Sequence, residues 1–153
     1  MIVKSCLGLL AALTVSLALT SCSTTPPPTA EAVVADLSSA VPSMRPGEPV
    51  TAESDPNQLL GRPGGYTSAM PFTDSRVPAE PLSPEPGSVA AGGKVEVFES
   101  AEDAQRRFEY VQTVTRSAPI FGEYTYLSGP VVLRVARGLT PDQASEYEAA
   151  LTE

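Results

Sequence analysis

Two cysteines and no histidine limit the chemistry available to this chain of 153 residues. Cys22 follows Leu19, Thr20 and Ser21, and it ends an uncharged apolar run that begins at Cys6. A thiolate is the best nucleophile available for alkylation, and small side chains ahead of it let extended backbone enter a protease cleft. The small residues are therefore compatible with cleavage in this stretch, and the Cys22 sulfur is suited to alkylation.

The segment ahead of Cys22 is typical of a secretory leader. Lys4 provides a positive start, and the apolar run that follows is about fourteen residues long. A helix that crosses a hydrocarbon core of about 30 Å needs about twenty residues, so the run is too short for a permanent membrane span. We therefore expect residues 1–21, with Cys6, to be a signal peptide that is removed.

Leu19, Thr20, Ser21 and Cys22 together resemble the lipobox of bacterial lipoproteins, in which an aliphatic and two small residues precede a cysteine. The resemblance covers the first twenty-two residues. It implies that signal peptidase II cuts before Cys22 and that the sulfur receives a diacylglyceryl group. Two acyl chains, palmitate among them, would hold the protein on the extracytoplasmic face of the cell membrane. The alternative is an ordinary leader with a chance cysteine, whose small-x-small cleavage pattern fits this segment less well.

Few other side chains suit catalysis. The chain has no histidine around which a nucleophile and base could be built, and the mature cysteine would carry lipid. A carboxylate pair for sugar hydrolysis could come from Glu96, Glu99 and Glu123, but a domain this small is expected to lack a deep groove around them. We therefore expect a protein that is not an enzyme.

The composition also disfavours metal and nucleic acid. Asp55, Asp74 and Glu80 are too dispersed for a calcium loop, and the usual zinc ligands are missing, so we expect no metal and no cofactor. Without Lys4 the chain has nine basic and eighteen acidic residues, a formal charge of −9. Nucleic acid calls for clustered Lys and Arg. The expected partners are the membrane, through lipid on Cys22, and an unknown envelope protein or glycan.

Residues 22–53 are mostly Ser, Thr, Pro, Ala and scattered acids, a composition that buries too little apolar surface to fold. We expect a disordered tether there, with at most a short helical patch over residues 31–37 that Pro42 would end. The folded domain would span residues 54–153 and include a mobile Pro-rich arm at about 74–93. This tether composition is similar to that of small envelope lipoproteins of high-GC Gram-positive bacteria.

The C-terminal part has the clearest secondary-structure signals. Ser100 and Thr140 each begin a capping box, which predicts two helices. Alternating apolar residues predict strands at residues 66–70, 94–98, 123–127 and 131–135, the last two forming a hairpin.

Asp55 is expected to cap one helical turn that Gly61 ends. Residues 61–65 could cradle an anion, but a plain turn is favoured because a phosphate-loop lysine is missing.

These elements predict an α+β domain. Two helices with one apolar stripe each, and a small sheet, are best satisfied by a two-layer sandwich in which both helices cover one face of a mostly antiparallel sheet. Residues 88–153 alone make a marginal core, so Leu59, Leu60, Tyr66 and Phe72 are expected to enlarge it.

Tyrosines and arginines are the candidates for contact with a partner. Tyrosines are favoured at interfaces, although they also fill small cores. The candidate contacts are Tyr66, Tyr124 and Tyr126. Four arginines could line a site for an acidic ligand or cover a solvated surface instead. They are Arg106, Arg107, Arg134 and Arg137.

The sequence thus favours a membrane-anchored envelope lipoprotein whose small, non-catalytic domain binds or positions a partner. The order strand, helix, strand, strand, helix is also similar to that of SPOR domains, with residues 94–99 and 101–111 in place of their first strand and helix. This similarity implies a peptidoglycan-binding module as the alternative, although no final strand follows the second helix here.

Overall fold

The computed structural model describes residues 26–78, 84–85 and 87–152. The predicted signal peptide, lipobox and Cys22 lie outside these ranges. The helices described are α1 (Ala30–Ala40), α2 (Ala101–Ser117) and α3 (Pro141–Thr152). The strands described are β1 (Met44–Pro46), β2 (Tyr66–Asp74), β3 (Gly92–Phe98), β4 (Glu123–Ser128) and β5 (Val131–Ala136), with 3-10 turns at Val89–Ala91 and Pro119–Phe121. None of the described helices is both long and apolar enough to cross a membrane.

The strands form one sheet in the order β1-β2-β3-β5-β4, and every neighbouring pair is antiparallel. This confirms the predicted α+β class with an antiparallel sheet. The predicted hairpin is β4 and β5, which turn at Gly129, where the backbone φ is +51°. The predicted strand at residues 66–70 is the first half of the longer β2.

The described helices lie on both faces of the sheet, so the two-layer arrangement was wrong. Residues opposite one another in an antiparallel pair share a face, which places Val95 and Leu133 on one side and Glu96 and Val132 on the other. The first side packs against α1 and α3, and we call it the α1/α3 face. The second packs against α2, and we call it the α2 face. Strand alternation shows which residues share a face, but it does not show that the more polar face is also covered.

The N-terminal helix corrects the predicted tether, because residues 30–46 belong to the folded domain. Thr29 Oγ1 caps α1 by accepting the Ala32 N–H (3.3 Å). Ala30, Val34 and Leu37 follow helical spacing and bury one side of α1 against the α1/α3 face. Composition was misleading here, since a short helix rich in alanine needs only three buried positions when other elements supply the rest of the core.

The chain after β1 is also attached to the sheet. The N–H groups of Gly47 and Val50 donate to the carbonyls of Pro71 (2.9 Å) and Ala69 (2.8 Å) on β2. At the other end of β2, the predicted arm at 74–93 is shortened, because β2 includes Asp74 and β3 begins at Gly92. Residues 79–83 and 86 of this arm lie outside the described ranges.

The predicted capping box at Thr140 is complete, whereas the one at Ser100 is half formed, because Asp103 accepts the hydroxyl of Ser100 (2.6 Å) instead of its N–H. Ser100 Oγ accepts the Asp103 N–H (3.1 Å) at the start of α2. At the start of α3, Thr140 Oγ1 accepts the Gln143 N–H (3.3 Å), and Gln143 Oε1 accepts the Thr140 N–H (2.9 Å). These local bonds satisfy N–H groups that a helix cannot satisfy internally, which is why the helix starts follow the sequence.

Asp55 organises the loop between β1 and β2 without forming the predicted helical turn. Its carboxylate accepts the N–H groups of Asn57 (3.0 Å), Leu59 (2.7 Å) and Leu60 (2.9 Å), as well as the hydroxyl of Tyr66. The residues after Asp55 form turns around this carboxylate instead of a helical turn. As expected, Leu59, Leu60, Tyr66 and Phe72 contribute to the core.

Candidate functional site

A cavity of about 480 Å³ lies on the α2 face of the sheet, and we call it the α2 cavity. Side chains of β3 and β5 line it from the sheet, α2 and Ile120 line it from one side, and residues 56–57 and 87–90 line it from the other. Small-molecule sites in proteins typically have volumes of about 300–1,000 Å³. The cavity is therefore large enough for a small organic ligand.

Two arginines and two glutamates form an ion-pair network between the sheet and α2. Arg107 Nε and Nη2 donate to the carboxylate oxygens of Glu96 at 2.8 and 3.0 Å. Arg134 Nε and Nη2 donate to Glu123 at 2.6 and 2.7 Å, and Arg134 Nη1 reaches Glu96 at 3.1 Å. Burial raises the pKa of Glu96, but the hydrogen bonds and charges of Arg107 and Arg134 outweigh burial and lower it. The four side chains neutralise one another.

Lys94 lies two residues before Glu96 on the same face of β3 but has no such partners. Its side chain lines the α2 cavity, and the residue is only 3% exposed. Within the described ranges, its ammonium has no hydrogen-bond or ion-pair partner. Burial lowers the pKa of Lys94, the charge of Glu96 opposes this, and the charge of Arg134 adds to it. The charge of Asp55 also favours the ammonium form. Since a buried charge is costly unless it is paired, the Lys94 ammonium in the cavity wall would gain from a direct anionic partner.

Lys94 also borders a second cavity of about 760 Å³, which lies between the loop after β1 and residues 85, 87 and 88. The two cavities share Pro56, Gly87 and Ser88 along with Lys94. Two acidic residues, Glu48 and Glu85, line the second cavity. The α2 cavity is the one in which Lys94 lies beside the arginine network.

Thr115 provides a second polar group without a partner. Its hydroxyl oxygen is buried, and it has no hydrogen-bond partner in the part of the chain that the structure describes. A helical threonine commonly donates to the carbonyl four residues earlier, as Thr113 does to Glu109 (2.8 Å). Thr115 lies on α2 and lines the α2 cavity. The same cavity is therefore lined by both unpartnered groups, a cation and a hydroxyl.

The rim of the α2 cavity is apolar and exposed. Within the described ranges, Tyr110 (62% exposed) and Ile120 (77% exposed) are the large hydrophobic residues that face solvent, and both line this cavity. The Arg107 guanidinium lies 5.7 Å from the centre of the Tyr110 ring. Arg137 Nη1 donates to the carbonyls of Pro119 (2.9 Å) and Ile120 (3.2 Å) and so holds the Ile120 side of the rim.

The candidate tyrosines lie elsewhere. Tyr66 is fully buried with its hydroxyl on Asp55, so its prediction as a partner contact was wrong. Tyr124 and Tyr126 are half-buried on the α1/α3 face, and Tyr124 donates to the carbonyl of Leu139 (3.2 Å). For these two residues, contact with a partner remains a prediction.

The candidate arginines are divided between the cavity and solvent. Arg107, Arg134 and Arg137 meet at the α2 cavity, whereas Arg106 pairs with Glu102 (2.6 Å) on the solvent side of α2. Of the three glutamates for which no deep groove was expected, Glu123 lines this cavity. Sequence reasoning missed Lys94 and Thr115. The available signal was that Lys94, Glu96 and Arg134 would share a face if β3 paired with β5.

Two further sites considered from sequence can be placed. Residues 61–65 form a turn, in which the N–H of Gly61 donates to Tyr66 (2.9 Å) and that of Gly65 donates to Arg62 (2.8 Å). Their N–H groups are therefore used within the fold and do not form an anion cradle. Across the described ranges there is no cluster of three or more His, Cys, Asp or Glu that could hold a metal ion.

Comparisons of the chain with protein-family models, with curated proteins and with solved structures find no match.

Proposed function

We propose that this protein is a lipid-anchored lipoprotein of the cell envelope whose folded domain binds a small ligand in the α2 cavity without catalysing a reaction. The observation that supports binding is that one cavity is lined by Lys94, a residue only 3% exposed whose ammonium has no hydrogen-bond or ion-pair partner among the described residues, and by the buried Thr115 hydroxyl, which also has none there. Buried polar groups are normally hydrogen-bonded, and each exception calls for an explanation. A ligand that bonds to both groups is that explanation here.

Binding without catalysis is supported by the state of the acidic side chains. A general acid or base needs a carboxylate that is free to exchange a proton with the substrate. Glu96 and Glu123 are instead held by two guanidinium groups at distances of 2.6–3.1 Å. Such ion pairs hold both carboxylates in place and occupy their oxygens, so the two glutamates shape the cavity and are poorly suited to proton transfer.

The anchor is supported by the sequence around Cys22. The fold limits how far the domain could lie from such an anchor. The first described helix begins at Ala30, eight residues after Cys22. A fully extended chain of that length spans at most about 30 Å. Lipid on Cys22 would therefore hold the domain close to the bilayer. Ala30 packs on the α1/α3 face, so the chain enters the domain on the side opposite the α2 cavity.

Replacing Cys22 tests the anchor, and the chain provides its own matched control. We expect Cys22→Ala to lose labelling by palmitate and to leave the membrane fraction or accumulate as an uncut precursor. Cys6→Ala should be labelled and retained like the wild type, because Cys6 lies in the segment that is removed. Processing and membrane retention of Cys22→Ala at the wild-type level would contradict the proposal.

Filling the cavity tests the binding domain. Val114→Phe places a larger side chain in the α2 cavity from a half-buried position on α2. The full chain in non-ionic detergent would be screened by thermal shift against small acids, amides and purified glycan strands. A stabilising ligand whose effect is lost in Val114→Phe supports the proposal. Stabilisation by glycan strands that persists in Val114→Phe would favour the peptidoglycan-binding alternative.

A further inference from the structure

We propose that the α2 cavity takes a monoanionic carboxylate with an apolar body, and that the carboxylate pairs with the ammonium group of Lys94. This inference rests on the proposed function and adds to it the chemical class of the ligand.

The charges around the cavity leave Lys94 as the buried cation that an anionic group of a ligand would meet. Glu96 and Glu123 compensate Arg107 and Arg134, so these four side chains add no net charge. Lys94 then remains as the buried cation without a partner among the described residues. Arg137 is exposed at the rim and already donates to two backbone carbonyls. A single carboxylate matches the Lys94 ammonium, whereas a dianion such as a phosphate monoester would bring a second charge that only the exposed Arg137 could face.

The type of cation agrees with a carboxylate. A lysine ammonium is a compact point charge, whereas arginine presents a planar fork that suits phosphate and other bidentate acceptors. Both buried forks in this cavity are occupied by the protein's own glutamates. The cation left for the ligand is therefore Lys94, whose ammonium group needs only a single acceptor oxygen.

The rest of the cavity calls for an apolar body. Val111 and Val114 line the α2 side, and the mostly exposed Tyr110 and Ile120 form the rim. A hydrophobic body lying against these side chains removes their apolar surface from water, which stabilises the complex by about 25 cal/mol per Å². The Thr115 hydroxyl lies on the same helix and provides a second hydrogen-bonding position for a polar atom of the ligand.

A matched pair of ligands tests the inference. 3-Phenylpropionate and its neutral amide have nearly the same shape and differ in charge, and phenyl phosphate provides the dianion. We would titrate each into the full chain in non-ionic detergent by calorimetry. We expect the acid to bind at least about tenfold more tightly than the amide, because a hydrogen bond to a charged group contributes about 1.5–3 kcal/mol. Phenyl phosphate should bind more weakly than the acid.

Lys94→Met keeps the length of the side chain but removes its charge. In this variant the acid should lose at least about tenfold in affinity while the amide changes little. Arg106→Gln removes a cation from the solvent side of α2 and is the matched control, which should bind like the wild type. Thr115→Val should weaken the binding of ligands that carry a further polar atom.

Three outcomes would overturn the inference: equal binding of acid and amide by the wild type, tighter binding of phenyl phosphate, or no binding of the acid at millimolar concentration. The first two leave the proposed function standing if Val114→Phe abolishes the binding, because the cavity then takes a ligand of another class. If no ligand of the thermal-shift screen depends on Val114, the proposed function fails as well.

Discussion

At the scale of single residues, Lys94 and Glu96 show how neighbours decide the consequence of a buried charge. Both lie on the α2 face of β3, two positions apart, and both are almost completely buried. Glu96 receives three hydrogen bonds from Arg107 and Arg134, so its charge is compensated inside the protein. Lys94 has no equivalent partner within the described ranges, which makes it the residue where an external anion would gain the most.

A third buried charge, Asp74, connects separate parts of the chain. Its carboxylate accepts hydrogen bonds from Ser43 (3.0 Å), Arg76 (2.9 Å) and Tyr147 of α3 (2.6 Å). Burial raises the pKa of Asp74, but the hydrogen bonds from Arg76 and Tyr147 outweigh burial and lower the pKa to about 2. The ionised form is therefore favoured by folding.

This pKa predicts a loss of stability in acid. A carboxylate whose folded pKa is lowered stabilises the fold above its unfolded pKa, and the contribution is lost as pH falls through the folded pKa. We expect Asp74 to account for a loss of about 2 kcal/mol between about pH 4 and pH 2. Urea unfolding across this range measures it. Asp74→Asn should be less stable at neutral pH and lose less on acidification, and an unchanged pH dependence in this variant would contradict the prediction.

At the scale of elements, α1 has the largest consequence for how the domain is defined. Its three buried residues lie in the same cluster as Val95 and Leu133 at the centre of the sheet. It also contacts α3, so the two helices cover the α1/α3 face together. Without α1, this face would expose apolar side chains of β2 and β3 to water, which is destabilising.

A substitution in α1 tests this role. Leu37 is 1% exposed, and Leu37→Ala should lower the free energy of unfolding by roughly 2–5 kcal/mol because it leaves a cavity in the core. Asp36→Ala, at the exposed neighbouring position, is the control and should change stability by less than about 0.5 kcal/mol. Chemical denaturation of both variants gives the comparison. A tether would tolerate both substitutions equally.

At the scale of the whole molecule, the folded domain begins about two dozen residues earlier than composition predicted. Residue 54 was the predicted boundary, whereas α1 begins at Ala30. We therefore expect limited proteolysis of the full chain to leave a resistant fragment that still contains Ala30. Mass spectrometry of the fragment locates its first residue. A resistant fragment that begins near Ser54 would contradict this expectation and support the longer tether that composition predicted.

The position of the chain entry also matters for the molecule as a whole. Ala30, at the start of α1, packs on the α1/α3 face, and the α2 cavity lies on the opposite face. The proposed anchoring at Cys22 and the proposed binding in the cavity would therefore use different sides of the domain. The two proposals can be tested independently, by Cys22→Ala for the anchor and Lys94→Met for the ligand.

Sequence alone determined the features that depend on neighbours along the chain. The helix caps at Ser100 and Thr140, the β4–β5 hairpin and the α+β class follow from hydrogen bonds and alternation within a few residues. The lipobox interpretation of Cys22 is equally local and rests on the sequence.

Only the tertiary structure decided which surfaces are covered. The number of layers, the place of α1 in the core and the α2 cavity all depend on contacts between distant segments, such as Arg107 with Glu96 across α2 and β3. The alternation of Lys94, Val95 and Glu96 indicates which side chains share a face, but burial of the polar side chains requires another element to pack over them. Nothing in the sequence marks Lys94 for burial, yet in the fold it is a buried lysine without an ion-pair partner among the described residues, because α2 and the loops around it close over that face.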